Sequence, residues 1–231
     1  MVEPDSQAND MRTNDMRTQD VRVEEAAALH MFGVSAFRRG NVEAALKFMS
    51  RACAHPEAPV LWHRNHAEIL DRCGRSEAAE AAARLALSRD PENAGAWETL
   101  GTIMAQRDKH AESSACYEKA IEIAPNFVQA LNNLAVTLDR LGQHQAAEMR
   151  YRQVLRLAPE SADIQLNFAT LLGDVERYQE GLEIAQDVLD RYPDSMRARS
   201  LATEFQRNLK ANAKSGGKKG ESAQRELSTS P

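Results

Sequence analysis

Four prolines recur along this chain at a constant interval of 34 residues. They are Pro91, Pro125, Pro159 and Pro193. Because proline lacks a backbone N–H and has a fixed φ, it stops a helix, and the constant interval predicts that each proline closes one copy of a repeated unit. The chain is therefore expected to fold as an array of similar units.

The same interval identifies three columns of mostly small side chains. Small residues let two helices of one unit approach closely, so these columns predict the helix–helix contacts of each unit. The columns are Gly33, Ala67, Gly101, Ala135 and Ala169; Ala45, Ala79, Ser113, Ala147 and Gly181; and Ala52, Ala86, Ala120, Val154 and Val188.

Two further columns complete the predicted unit. Bulky residues fill the space beside the small ones, and glycine or acidic residues permit the turn that reverses the chain. The bulky column is Phe32, His66, Leu100, Leu134 and Phe168, and the turn column is Gly40, Gly74, Asp108, Gly142 and Glu176. Each unit is predicted to be a helical hairpin that buries its apolar face against the next hairpin.

Composition supports an all-α protein. Hydrophobic residues make up 42% of the chain but aromatic residues only 5%, which indicates a core of alanine and leucine. Alanine is the best helix former and packs where backbones lie close together. The formal net charge of -5 argues against nucleic acid as a partner, because no broad basic face is available to neutralise phosphates.

The repeats resemble the tetratricopeptide repeat family. The residues that carry this resemblance are Trp97, Leu100, Gly101, Tyr117, Ala120 and Pro125, followed by Leu134, Ala147, Tyr151 and Pro159. The resemblance implies an all-α, right-handed superhelical solenoid of helix-turn-helix hairpins. Its five repeats are expected at 26–59, 60–93, 94–127, 128–161 and 162–195.

The terminal repeats depart from this pattern. In the first repeat Glu57 stands where the helix-stopping proline is expected, so its exit loop is predicted to be shifted. In the fifth repeat Gln165 replaces the tryptophan and Ala185 replaces the tyrosine. Terminal repeats are often degenerate, and the solenoid is still expected to extend over 23–211.

Both ends of the chain are predicted to differ from the repeats. Residues 1–22, which contain the duplicated segment NDMRT, are expected to form a disordered arm, and the Lys-, Gly- and Ser-rich residues 212–231 a disordered tail. Between the last repeat and the tail, Leu201, Phe205 and Leu209 predict a capping helix over 195–211. This helix either covers the last repeat or detaches to occupy the binding site of a partner.

No catalytic constellation is evident in the sequence. His63 and His66 are three residues apart and could share a metal, but His66 falls in the bulky column and both are interpreted as packing residues. The three cysteines form no disulfide or zinc pattern. We therefore predict neither enzymatic activity nor a metal or cofactor. A cytoplasmic protein without membrane insertion is expected, because no signal peptide or sufficiently long apolar stretch is present.

The resemblance implies that the first helix of each repeat lines a concave groove. Asn132 is one expected groove residue. The others form a column one place before the bulky one: Met31, Asn65, Thr99, Asn133 and Asn167. It resembles the asparagine ladder of O-linked N-acetylglucosamine transferases, in which side-chain amides can bind the backbone of an extended peptide. The alternative is that these asparagines bond to the adjacent helix.

Arginines form a second set of candidate groove residues: Arg38, Arg64, Arg72 and Arg140. They either complement helix dipoles or form a basic seam for an acidic ligand. The dicarboxylate-clamp pattern of co-chaperones is not met, since His30, Val34, Gly95 and Thr99 occupy its positions.

These features predict a non-enzymatic scaffold or adaptor that binds a protein or extended peptide in its groove. The alternative function is a substrate-recognition region that serves a separately encoded enzyme such as a glycosyltransferase. Self-association through exposed repeat ends is a further possibility.

Overall fold

The computed structural model describes residues 22–227, with side chains through residue 213. The predicted arm over 1–22 lies outside these residues except for its last position. The described residues form α-helices joined by turns, with no strand. The helices are α1 (22–38), α2 (Val42–Cys53), α3 (Val60–Arg72), α4 (Ser76–Arg89), α5 (Ala94–Gln106), α6 (His110–Ile123), α7 (Val128–Arg140), α8 (His144–Leu157), α9 (Ala162–Asp174), α10 (Tyr178–Arg191) and α11 (Met196–Leu227).

The helices belong to two compact units, which divide after Pro125. The first unit contains the hairpins α1–α2, α3–α4 and α5–α6, and the second contains α7–α8, α9–α10 and α11. Within the first unit α3 also packs against α2 and α5, so neighbouring hairpins stack. Within the second unit α9 packs against α8, α10 and α11. The prediction of an all-α fold built from hairpins is confirmed.

The predicted turn column adopts the left-handed backbone conformation at every position. The φ angles are +79° at Gly40, +72° at Gly74, +57° at Asp108, +72° at Gly142 and +60° at Glu176. Glycine reaches this conformation without a steric penalty, whereas Asp108 and Glu176 adopt it at a cost. The chain reverses at the same point of each hairpin, as the sequence predicts.

The second helix of the hairpin ends just before the periodic prolines. Helices α4, α6, α8 and α10 end two residues ahead of their proline. Helix α2 ends at Cys53, which is earlier in its repeat, and the chain then passes through Pro56 and Pro59 before α3 begins. The exit loop of the first hairpin is thus shifted, in agreement with the missing proline at Glu57.

Side chains near the start of several first helices bind the carbonyl oxygen of the preceding proline. Trp97 Nε1 donates to the oxygen of Pro91 at 2.8 Å. Gln165 Nε2 donates to the oxygen of Pro159 at 2.9 Å, so the amide takes over the hydrogen bond made by the tryptophan. This shared bond explains how the fifth repeat tolerates the loss of the aromatic side chain.

The three small columns are buried throughout, which confirms them as packing positions. A Cβ added to Gly101 would lie 2.7 Å from Cε1 of Tyr117, so the absence of a side chain lets the aromatic ring approach the backbone of α5. The bulky column differs at its first member. Phe32 is 60% exposed because, among the described residues, no hairpin precedes α1, although its ring contacts that of Phe48 at 6.0 Å.

Helix α11 covers the last hairpin through Ala198, Ala202 and Phe205, which are buried. The Phe205 ring occupies the space left by Gly173 and Gly181, where an added Cβ would lie 2.6 Å and 2.8 Å from it. The helix continues to Leu227, beyond the predicted end at residue 211.

Candidate functional site

The predicted ligand-binding residues all lie on the first helices of their hairpins, but they are divided between the two units. The first unit holds Arg38, Arg64, Asn65, Arg72 and Thr99, and the second holds Asn132, Asn133, Arg140 and Asn167. Their surroundings differ between the units, and each set has its own geometry.

A cavity of about 300 Å³ lies between α1 and α3 in the first unit. Its lining consists of Val34, Phe37, Arg38, Asn65, Glu68, Ile69 and Arg72. We call this the α1–α3 cavity. It brings together three of the predicted residues, Arg38, Asn65 and Arg72. The apolar lining was not predicted, although Val34 and Phe37 are spaced three residues apart on one helix face.

The two arginines of the α1–α3 cavity are exposed. The Arg72 guanidinium lies 5.0 Å from the centre of the Phe37 ring, a cation–π arrangement that holds the arginine side chain across from α3 to α1. Among the described residues, neither Arg38 nor Arg72 forms an ion pair with a carboxylate. Their charges therefore remain available to solvent or to a ligand.

Asn65 bridges two first helices. Its Nδ2 atom lies 3.1 Å from Nε2 of His30, and the His30 ring stacks on Trp62 with the ring centres 5.1 Å apart. Burial lowers the pKa of His30, which favours the neutral ring, and the neutral ring can accept a hydrogen bond from the amide. Asn65 thus connects α3 to α1, as the alternative interpretation of the asparagines predicts.

Two predicted residues of the first unit do not line the cavity. Arg64 lies 3.7 Å from Glu68 and packs where a Cβ of Gly95 would otherwise stand, at 2.4 Å from that position. Thr99 is only 3% exposed, and its hydroxyl donates to the carbonyl oxygen of Gly95 at 2.9 Å. The structure corrects the assignment of Thr99, because a buried and internally bonded hydroxyl is not presented to a ligand.

In the second unit the asparagines form a continuous set of hydrogen bonds across three helices. Arg197 on α11 donates to Asn167 Oδ1 at 2.7 Å, and Asn167 Nδ2 donates to Asn132 Oδ1 at 3.1 Å. Asn132 Nδ2 in turn lies 3.4 Å from Asn133 Oδ1. These amides connect α11, α9 and α7, so they contribute to the packing of the hairpins.

Arg140 is exposed near the end of α7, but its surroundings are acidic. The adjacent Asp139 accepts a hydrogen bond from His144 Nδ1 at 2.9 Å. Partial burial and the nearby Asp139 carboxylate raise the pKa of Asp174 on α9. Of the four arginines in the predicted basic seam, Arg38, Arg72 and Arg140 form no ion pair among the described residues, and the first two line the α1–α3 cavity.

The remaining reactive side chains are buried or half-buried. His63 is 1% exposed, and burial together with the charge of Arg89 lowers its pKa. Burial raises the pKa of Cys53 and Cys116 to about 11, so both thiols stay protonated at neutral pH. Over the residues with described side chains, no group of three or more His, Cys, Asp or Glu residues is arranged to bind a metal ion.

The described part of the chain contains no helix with the length and hydropathy needed to cross a membrane.

Comparison with known proteins identifies the repeats. Two family models described as tetratricopeptide repeat match residues 65–93 and 92–160. These matched segments contain α4, α5, α6, α7 and α8 in full.

This chain spans about a quarter or less of the length of the two curated relatives described next. The chain is 32% identical over 155 residues to protein FlbA of Caulobacter vibrioides. This match covers 65% of this chain and 26% of FlbA. It is 30% identical over 113 residues to the peroxisomal targeting signal receptor of Yarrowia lipolytica. This match covers 48% of this chain and 19% of the receptor.

A solved structure extends the match to most of the chain. A tetratricopeptide repeat protein from Parabacteroides merdae superposes with a TM-score of 0.70 at 17% identity, over 84% of this chain and 77% of that one. The superposition establishes a shared fold. Residues 65–160 therefore contain tetratricopeptide repeats, and most of the chain has the helical fold of a solved protein built from such repeats.

Proposed function

We propose that this protein is a non-enzymatic interaction module that binds an extended segment of a partner protein on the first helices of its hairpins. The observation that carries the proposal is the α1–α3 cavity, which combines an apolar lining with an amide and two arginines. Ligand sites in proteins commonly combine apolar walls with a few polar groups that fix orientation.

The comparisons support a role in protein recognition. One of the relatives is named a peroxisomal targeting signal receptor, and this chain carries repeats of a family of protein-interaction modules. The asparagines contribute to the proposal in a secondary way. Each amide that bonds to a neighbouring helix still has unused hydrogen-bonding capacity, since a carboxamide offers two donors and an acceptor with two lone pairs.

Photo-crosslinking in cells of the source organism tests this proposal. A photoreactive amino acid replaces Glu68, which is exposed and lines the cavity, and in a control protein it replaces Lys47, which is exposed on α2 outside the cavity. We expect a discrete protein adduct from position 68 and none of the same mass from position 47. Identical adducts from both positions, or no adduct from position 68, would contradict binding at this cavity.

A further inference from the structure

The arginines of the first unit differ in how their charges are satisfied. Some arginines pair with carboxylates of the same unit, as Arg51 does with Glu25 at 3.3 Å and Arg84 with Glu80 at 2.9 Å. Arg38 and Arg72 form no such pair, although both are exposed at one cavity. Two cationic groups with no carboxylate partner at a cavity favour an anionic occupant.

Helix dipoles explain only part of this arrangement. Arg72 lies in the last turn of α3 and Arg38 at the end of α1, where a positive charge stabilises the helix. An arginine can satisfy the dipole with its side chain extended into solvent. The position of the Arg72 guanidinium over the Phe37 ring instead directs this charge to the α1–α3 cavity.

The cavity lining defines a second requirement for the occupant. Val34, Phe37 and Ile69 provide an apolar surface, of which Ile69 is the almost completely buried part. A volume of about 300 Å³ lies at the lower limit of ligand pockets, so it suits one or two side chains of a peptide.

We propose that the α1–α3 cavity selects an extended peptide that carries an aspartate or glutamate next to an apolar side chain. This inference rests on the proposed function and adds the chemical class of the partner. The carboxylate binds the guanidinium groups of Arg38 and Arg72, because arginine presents paired N–H donors that match a carboxylate. The neighbouring apolar side chain contacts Phe37 and Ile69.

A peptide satisfies these features better than a nucleic acid. Only two arginines line the cavity, the Glu68 carboxylate beside them lies 3.7 Å from Arg64, and the whole chain carries a net charge of -5, so a chain of phosphates would find few cationic partners. Nucleic-acid sites instead carry several basic side chains along a stripe.

Selection from a random peptide library displayed on phage tests the inference with the full-length protein. We expect wild type to select peptides in which Asp or Glu stands beside an apolar residue. The strongest of these peptides, made synthetically, should bind the double variant Arg38→Glu with Arg72→Glu at least about tenfold more weakly than wild type. The matched control is Arg39→Glu, an exposed neighbour outside the cavity lining, which should bind within about twofold of wild type.

The outcomes separate this inference from the proposed function. Selected peptides without acidic residues, or equal binding by wild type and the double variant, would overturn the acidic specificity but leave groove binding intact. Tighter binding of a mixed-sequence single-stranded oligonucleotide than of any selected peptide would also overturn the inference. A wild-type protein that selects no peptide would contradict the proposed function and this inference with it. Circular dichroism of each variant confirms that the helices are retained.

Discussion

Asn167 on α9 donates to Asn132 on α7 across 3.1 Å, and the two residues are 35 positions apart in the sequence. Asn65 and His30 in the first unit are separated by the same 35 positions and lie 3.1 Å apart. The repeat of 34 residues therefore aligns each asparagine with a residue one place earlier in the preceding first helix. This register makes the amides connections between hairpins.

Replacing Asn167 with alanine should lower the free energy of unfolding. The variant loses the hydrogen bonds to Asn132 and Arg197, each worth about 1 kcal/mol, and regains roughly half a kcal/mol from the helix propensity of alanine. A net loss of about 1.5 kcal/mol is expected in urea denaturation. Gln186→Ala on the exposed face of α10 is the control and should be neutral or slightly stabilising. Equal stability of Asn167→Ala and wild type would show that these bonds contribute nothing to packing.

Gly101→Ala should destabilise the first unit even though alanine favours helix. The added Cβ would lie 2.7 Å from the Tyr117 ring, and overpacking of this kind costs roughly 1–3 kcal/mol, more than the gain of about 1 kcal/mol in propensity. Tyr117→Leu removes the ring, so Gly101→Ala should cost less in that background. Additive effects in the double-mutant cycle, measured by thermal denaturation, would contradict the assigned contact.

The turn residues predict opposite effects at two equivalent positions. Glu176 has a φ of +60° and Gly142 a φ of +72°. Because a left-handed conformation costs a residue with a Cβ about 1 kcal/mol or more, Glu176→Gly should stabilise the protein and Gly142→Ala should destabilise it by similar amounts. Urea denaturation of both variants gives the comparison. A destabilising Glu176→Gly would mean that the glutamate side chain contributes more than the strain it causes.

Much of the fold could be predicted from the sequence because its constraints are local to each hairpin. The turn column, the small columns and the helix ends before proline recur with the period, and each depends on backbone conformation or on contacts within one hairpin. Phe32 shows the limit of this reasoning. Its column predicts burial, but a bulky residue at this position is covered only when another hairpin precedes it, and it is 60% exposed.

The candidate site was less predictable because it depends on side-chain orientation between hairpins. The sequence places Thr99 and Asn65 in one column, yet the structure buries Thr99 and presents Asn65 at the α1–α3 cavity. Likewise Arg64 and Arg72 are both basic residues of α3, but only Arg72 reaches this cavity. Periodicity identifies the helix face, and the neighbouring helix decides which side chains remain available.

The shifted loop after α2 leads to a prediction about pH. His63 occupies the position in its repeat that Trp97 and Gln165 occupy in theirs. Its repeat has Glu57 in place of the proline whose carbonyl those side chains bind. The buried Nε2 atom of His63 has no hydrogen-bond partner among the described residues. Arg89, which donates to the carbonyl oxygen of Pro56 at 2.8 Å, adds to the burial that lowers the pKa of His63. Burial also lowers the pKa of His30 and His66.

Stability should therefore fall on the acidic side of neutrality. The unfolded chain binds protons at these histidines near pH 6.5, whereas the folded chain binds them only at lower pH. Their contribution is fully present above about pH 6.5 and is lost as the pH falls toward the lowered folded values. The drop in melting temperature between neutral and mildly acidic pH should be larger for wild type than for His63→Leu, because leucine cannot be protonated. Parallel pH profiles of the two proteins would exclude a role for His63.

Blocking the α1–α3 cavity tests the central claim most directly. In Val34→Trp the indole occupies the cavity without changing its charge, and in the control Val42→Trp the same residue is placed on α2 outside the cavity. Both variants are titrated calorimetrically with the partner identified through crosslinking at position 68. We predict that Val34→Trp weakens binding at least about tenfold while Val42→Trp binds as wild type does. Wild-type affinity in a folded Val34→Trp protein would contradict the claim that the partner occupies this cavity.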